Sequence, residues 1–166
     1  IGHTKKIKSS EKIWCIEEGK FKYKYLTYSE GLLRIFVEIV SNTIDNVWRS
    51  GEFGLTCKYI KIVIDKETGK VTVTNDGKPI PFDFNDEEKK YNIELIFSRL
   101  LTSTNYDDSE ERKTSGRNGY GAKLTNIFST LFEVESYNPK EKKIYTQKWE
   151  NNMNTRNNPV FTQVKS

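Results

Sequence analysis

Ser115-Gly116-Arg117-Asn118-Gly119-Tyr120-Gly121-Ala122-Lys123 is the stretch on which the fold of this chain turns. Three glycines within six residues run into Gly119 to Ser129, which reads as a helix. The first N–H groups of a helix have no carbonyl partner, so such a start attracts anions. A flexible loop with a glycine hinge gives the same letters in isolation. The stretch is not a P-loop. Gly116 and Gly121 have the spacing, but Ala122 stands before Lys123, and Leu124 occupies the place of a magnesium-binding Ser or Thr. Nor is it a dinucleotide fingerprint, because the third glycine is missing and no βαβ unit surrounds it. Both parallel-sheet phosphate folds are thereby excluded.

Upstream lies a long helical pattern in which Leu32, Ile35, Phe36, Ile39, Val40, Thr43, Ile44 and Val47 recur at three- and four-residue spacing until Gly51 and Gly54. Glu38, Asn42 and Asn46 fall at i, i+4 and i+8, so they stack along one face with Asp45 and Arg49 beside them. Leu32, Phe36, Ile39, Thr43 and Val47 are predicted to face the core, the two stripes meeting at Ile35 and Asn46. Asparagine is a poor helix former, because its amide competes for backbone hydrogen bonds. Two on one stripe therefore ask for a reason. A carboxylate can take a proton from an attacking water, and an amide oxygen one turn on can ligate a hard cation such as magnesium. A solvated face with i,i+4 polar pairs is the plainer alternative.

Between these segments, Tyr59 to Asp65 and Lys70 to Asn75 read as a β-hairpin around Lys66-Glu67-Thr68-Gly69. Thr74-Asn75-Asp76-Gly77-Lys78-Pro79-Ile80-Pro81 follows as turn chemistry closed to helix or central strand by its prolines. In a functional reading, a short polar side chain here bonds a base edge and Gly77 lets a ligand approach the backbone. Trp14 to Ile16 and Phe21 to Leu26 are predicted strands about Glu18-Gly19-Lys20. Ile93 to Leu101 is a predicted helix, and Thr102 to Asn118 a long polar loop of the functional or disordered kind. Leu131 to Tyr137 and Lys143 to Trp149 are strands joined at Asn138-Pro139-Lys140. An Asn-rich tail precedes a last strand at Val160 to Val164. The sum is an α+β two-layer sandwich, helices on one face of a mostly antiparallel mixed sheet, expected as a single domain over 1–166.

Composition sets the outer bounds. The chain has 166 residues, 35% of them hydrophobic, enough for one sizeable core but not two. No apolar run approaches the ~20 residues of a membrane helix, so no membrane partner is expected. With neither an initiating Met nor a signal segment at Ile1-Gly2-His3, the chain reads as a piece of a longer one. The net charge of +4 is a weak argument for nucleic acid. Lys5, Lys6, Lys8, Lys12, Lys20, Lys22 and Lys24 read as a solvated face rather than a DNA surface. Cys15 and Cys57 are too few for a metal cluster and read as reduced, at least one of them in the core.

Taken in order, the segments resemble the GHKL ATPase superfamily of gyrases, heat-shock chaperones, histidine kinases and MutL. Within it they look like the eukaryotic-type DNA topoisomerase II family. Glu38-x-x-x-Asn42-x-x-Asp45-Asn46 resembles the first motif, and Asn75-Asp76-Gly77-x-x-Ile80-Pro81 the second. Leu100 to Asp108 resembles the lid, and Gly116-Arg117-Asn118-Gly119-Tyr120-Gly121-Ala122-Lys123-Leu124-x-Asn126-Ile127-Phe128-Ser129 the third motif in its most specific wording. Trp149-x-x-Asn152-Met153 is similar to the same family.

The resemblance implies the GHKL (Bergerat) fold with ATP and magnesium as cofactors. It implies Glu38 as the base that activates water, Asn42 on the metal, and Asn46 near phosphates or sugar. Asn75 would face the adenine edge and Ile80 would pack on the base. Ser103, Thr104 and Asn105 would approach from the lid. Gly116, Arg117, Asn118, Gly119, Tyr120, Gly121, Ala122 and Lys123 would wrap the phosphates. It also implies a nuclear location, and DNA and a second copy as partners of the full-length enzyme, this piece alone being monomeric. Pro79 departs from the glycine usual in the second motif and demands a negative φ there. The family's transducer lysine lies outside this chain, so the piece is expected to bind ATP and turn it over poorly. Two other readings stay open: another GHKL ATPase of chaperone or mismatch-repair type, or a nucleotide-binding dimerisation module without turnover.

Overall fold

The structure, a computed structural model, describes residues 5–98 and 120–165. The order of elements is β1 (Lys6–Lys8), β2 (Ile13–Glu17), β3 (Lys20–Lys24), β4 (Thr27–Ser29), α1 (Glu30–Glu52), β5 (Ile60–Asp65), β6 (Lys70–Asn75), β7 (Phe84–Asn85), β8 (Lys90–Tyr91), α2 (Asn92–Ser98), α3 (Gly121–Ile127), β9 (Leu131–Asn138), β10 (Lys143–Glu150), β11 (Thr155–Arg156) and β12 (Val160–Gln163). The chain divides into two units, Ile1–Val37 and Glu38–Ser166, with the boundary inside α1.

In the first unit β2 and β3 form a hairpin with Trp14 opposite Tyr23, their rings 5.1 Å apart. Its turn puts Glu18 and Gly19 at positive φ, as a tight hairpin requires. β1 pairs with β4, a ladder of three residues that no hydrophobic alternation announced. Ser29 begins α1 by accepting the Leu32 N–H.

In the second unit α1 ends on Gly54, whose φ is +68°. The Leu55 N–H bonds to the Ser50 carbonyl and the Gly54 N–H to that of Gly51, the pattern of a Schellman motif. β5 and β6 form the expected hairpin, and β7 pairs with β8. β10 is the centre of the largest sheet, with β9 along one side and β12 and β11 along the other. Every pairing among the described residues is antiparallel.

The core gathers Phe82, Ile93 of α2, Val134 of β9, and Tyr145 and Trp149 of β10, with Ile80, Phe97, Phe132 and Met153 packed against it. α2 is pinned to the sheet by polar bonds as well. Its buried Glu94 accepts from Arg156, and Lys90 approaches within 3.3 Å. The Gln147 side chain donates to the Asn157 carbonyl and accepts from the Tyr145 hydroxyl. Burial first, and the Glu94 charge second, push the Tyr145 phenol above its ordinary value.

Three expectations need correcting. Leu32 is 57% exposed and Ile44 46%, whereas Asp45 and Ser50 are buried; Thr43, on the stripe expected to face the core, is buried as well. The covered arc of α1 is thus turned toward its polar stripe. Polar side chains there find partners, so the elements packed on α1 can cover them. Neither cysteine is in the core: both are half-buried, with Cys15 donating to the Lys22 carbonyl and Cys57 to that of Tyr59. Residues Asn151, Asn152 and Met153, read as part of a tail, all take positive φ and form a tight turn. No helix among the described residues is long and apolar enough to cross a membrane.

Candidate active site

Two glycine contacts organise the site, and both meet α1. A methyl group added at Gly121 would lie 2.5 Å from Glu38 Oε2, 2.7 Å from its Cβ and 2.9 Å from its Cγ. The first residue of α3 therefore packs directly on the half-buried side chain of Glu38. Only a residue without a side chain allows that approach. Tyr120 is the N-cap of α3 and supplies no side-chain cap bond.

α3 is held from its far side. The fully buried Asn126 donates to the Phe97 carbonyl of α2 at 3.1 Å. Asn152 reaches back from its positive-φ turn to the Ile127 carbonyl at 2.8 Å, and its own N–H bonds Ser129. This satisfies carbonyls that the last turn of a helix leaves orphaned.

The second contact lies two turns further along α1. Asn46 Nδ2 donates to Asn75 Oδ1 at 2.9 Å and to the Lys78 carbonyl at 3.1 Å. Asn75 Oδ1 also accepts the Gly77 N–H at 3.0 Å, closing the turn on itself. The hydroxyl of Ser50 accepts the Lys78 N–H at 2.7 Å. A methyl at Gly77 would meet Ser50 Oγ at 2.6 Å and Asn46 Nδ2 at 2.9 Å. The backbone of Gly77 is not left-handed, so glycine is required there by packing against α1 rather than by φ. Pro79 likewise avoids positive φ, as its ring demands.

Asp76 turns the other way and accepts the N–H groups of Lys58 and Tyr59, tying the turn to the start of β5. Burial works against its charge, but those amides and the Cys57 thiol outweigh it and hold the carboxyl below its ordinary value. The Lys78 ammonium lies 2.9 Å from the centroid of the Phe53 ring, a cation–π contact.

Of the residues singled out in the sequence, Glu38 and Gly121 meet in one place, and Asn46, Asn75 and Gly77 in another. Asn42, between Glu38 and Asn46 on the helix, is exposed. Ile80 packs against the core, its carbonyl held by Ser136 Oγ at 2.9 Å. Tyr120 is half-buried and Ala122 buried. Lys123 is only 1% exposed, and burial pushes its ammonium below the ordinary value. Ser103, Thr104, Asn105, Gly116, Arg117, Asn118 and Gly119 lie outside the described residues. Ser50 went unmarked in the sequence, and Asn126 and Asn152 were quoted within motifs but given no role. The only hint was chemical: three side chains able to bond backbone, near the ends of helices.

A recess of about 410 Å³ lined by Phe82, Asp83, Tyr91, Glu141, Lys143 and Phe161 includes none of these residues. It lies apart from the two contacts on α1, where the Glu38 carboxylate meets the start of α3 and the Asn46 amide meets the Asn75 turn. Such a set can orient water and hold an anion.

Known proteins resemble the chain along its whole length. It is 45% identical over all 166 residues to the probable DNA topoisomerase 2 of Dictyostelium discoideum, and 43% identical over 96% of its length to DNA topoisomerase 2 of Pisum sativum. It spans 10% and 11% of those two proteins. The solved ATPase region of Saccharomyces cerevisiae topoisomerase II matches with a TM-score of 0.83 at 42% identity, over 96% of this chain and 42% of that one. The ATPase and transducer domains of DNA topoisomerase II from Balamuthia mandrillaris match at 0.83 and 37%, over 95% and 40%. No protein-family model matches. Identity of 45% over the whole chain, together with a TM-score of 0.83 over 96% of it, carries the conclusion that the chain belongs to the eukaryotic DNA topoisomerase 2 family and corresponds to part of what its solved members present as the ATPase region.

Proposed function

We propose that this chain is the nucleotide-binding core of an ATP-driven gate: it binds ATP with magnesium and hydrolyses it, and in the full-length enzyme this drives DNA strand passage. The observation that carries the reading is Glu38 packed on the first residue of α3. That contact puts a carboxylate beside the end of a helix that opens with the glycine-rich string.

Glu38 is the general base that takes a proton from the attacking water. Phosphoryl transfer to water requires mostly positioning and charge neutralisation, and a well-placed base contributes about 10²- to 10⁴-fold. Asn46 and Asn75 hold the turn that faces the nucleotide, with Ile80 behind it. The amides at the start of α3 meet the phosphates; Lys123 is assigned to them by family resemblance alone, its side chain being buried. Ser103, Thr104, Asn105 and Gly116 to Gly119 complete the set by family resemblance.

The donor chemistry fits magnesium. Asn42 offers an exposed amide oxygen one turn from the Glu38 carboxylate, and magnesium is commonly held by one or two protein oxygens together with substrate phosphates. When bound it neutralises phosphate charge. The family implies a nuclear enzyme that acts on DNA as a homodimer.

The test is Glu38→Gln in the full-length enzyme. Hydrolysis is expected to fall by at least ~10²-fold, with affinity for a non-hydrolysable ATP analogue kept within ~3-fold, because the amide preserves shape. Wild-type turnover in that variant would remove Glu38 from the role of base.

A further inference from the structure

We propose that Ser50 is a positioning residue for the nucleotide, acting through the Asn75–Lys78 turn. The inference rests on the proposed function above and adds a residue to it. Ser50 is completely buried, one turn beyond Asn46 on α1. A serine within a helix ordinarily spends its hydroxyl on the carbonyl four residues back, and Ser50 does so, donating to the Asn46 carbonyl at 2.6 Å. That bond aims its lone pairs outward, where one accepts the Lys78 N–H at 2.7 Å. Asn46 grips the other end of the same residue through the Lys78 carbonyl.

Lys78 is therefore held at both backbone groups by two α1 side chains one turn apart. The bond inside the turn, from the Gly77 N–H to Asn75 Oδ1, fixes its shape but not its place on the helix. Ser50 fixes the place. Its oxygen also fills the space beside Gly77, where a methyl group would come within 2.6 Å of it. Sliding of the turn along α1 would break the Lys78 bond and drive the Gly77 backbone into Asn46. The Asn75 amide, which the nucleotide reading assigns to the base, is thereby set before any ligand arrives. Preorganisation of this kind acts on affinity.

The experiment measures the affinity of Ser50→Ala, Gly77→Ala and the double variant for a non-hydrolysable ATP analogue by calorimetry, with steady-state kinetics in the full-length enzyme. Ser50→Ala strips the Lys78 N–H of its acceptor, and Kd and KM are expected to rise about tenfold, equivalent to ~1.4 kcal/mol. kcat is expected to fall much less, since the turn holds the base rather than the reacting phosphate. Gly77→Ala displaces the same turn. If Ser50 works through it, Ser50→Ala in that background changes Kd by less than twofold. Multiplying effects of the two changes would overturn the proposal, as would a lower Tm with unaltered Kd and KM. A wild-type protein that binds no adenine nucleotide would sink the proposed function and this inference with it. Binding by wild type with equal binding by Ser50→Ala would sink the inference alone.

Discussion

Gly121→Ala tests the contact on which the proposed chemistry depends. The new methyl would sit 2.5 Å from Glu38 Oε2, 2.7 Å from its Cβ and 2.9 Å from its Cγ. Carbon atoms are at rest about 3.5–4.0 Å apart, so the shortfall is roughly 1 Å at each carbon. The carboxylate tip can rotate away at a cost of about 1 kcal/mol. The Cβ cannot, because its position is set by the backbone of α1. The start of α3 must therefore retreat, against the bonds from Asn126 and Asn152 that hold it from behind. Overpacking of this order costs ~1–3 kcal/mol, partly offset by the ~1 kcal/mol that alanine gains over glycine in a helix. The net loss of stability is small, a fall in Tm of a few degrees. The loss of activity is larger, because a 1 Å displacement of a reacting group costs about 10²-fold. ATP turnover by the full-length enzyme, read beside a thermal melt, separates the two. A variant that melts like wild type and turns over within threefold of it would refute the reasoning, since the Glu38–Gly121 contact would then hold nothing the reaction needs.

Gly51 offers the opposite case: it lies inside α1, and a methyl there meets nothing within 4 Å. Gly51→Ala is expected to stabilise the protein by ~0.5–1 kcal/mol, measured by denaturant unfolding, and to leave turnover as it was. In the first unit, hydrogen bonds from Lys22 and Lys24 hold the Glu17 carboxyl at about 2, below its ordinary value. A carboxyl depressed in the folded state stabilises the fold above its unfolded pKa, and the contribution is lost as pH falls from about 4.5 toward 2. Replacing both lysines with Ala is expected to return the Glu17 midpoint, followed by NMR, to the ordinary carboxylate range. A midpoint that stays near 2 would show that the lysines are not the cause.

Much of this architecture was written in local patterns. The three-and-four spacing from Leu32 to Val47 gave α1, and the Ile60, Ile62, Ile64 alternation gave the β5–β6 hairpin. The strands that escaped notice, β1, β4, β7, β8 and β11, are two or three residues long. β1 and β4 find each other across the intervening hairpin, β7 and β8 meet over a short turn, and β11 folds back on β10 just past Met153, but a segment of two or three residues has no period to read. The direction in which α1 faces was also hidden. Periodicity gives the spacing of stripes, but Asn46 and Ser50 could be covered only because partners elsewhere receive them. Asn75 and Asn46 were marked individually in the sequence; that one donates to the other was not, since 29 residues separate them.

The glycines carry the deeper lesson. In the sequence, Gly77 and Gly121 stood for openness toward a ligand, because glycine near a phosphate usually lets the backbone come close. In the structure each is the floor of a contact with α1: Gly77 under Asn46 and Ser50, Gly121 under Glu38. One helix face thus fixes both the turn of the second motif and the start of α3. If the nucleotide lies where the family reading puts it, base recognition and water activation share a rigid ruler, α1 itself. The separation between Ser50 and Glu38 along that ruler is three helical turns and a fraction, about 18 Å at 1.5 Å per residue. A change that bends or shortens α1 between them should then disturb affinity and turnover together, whereas a change at either glycine should disturb mainly one.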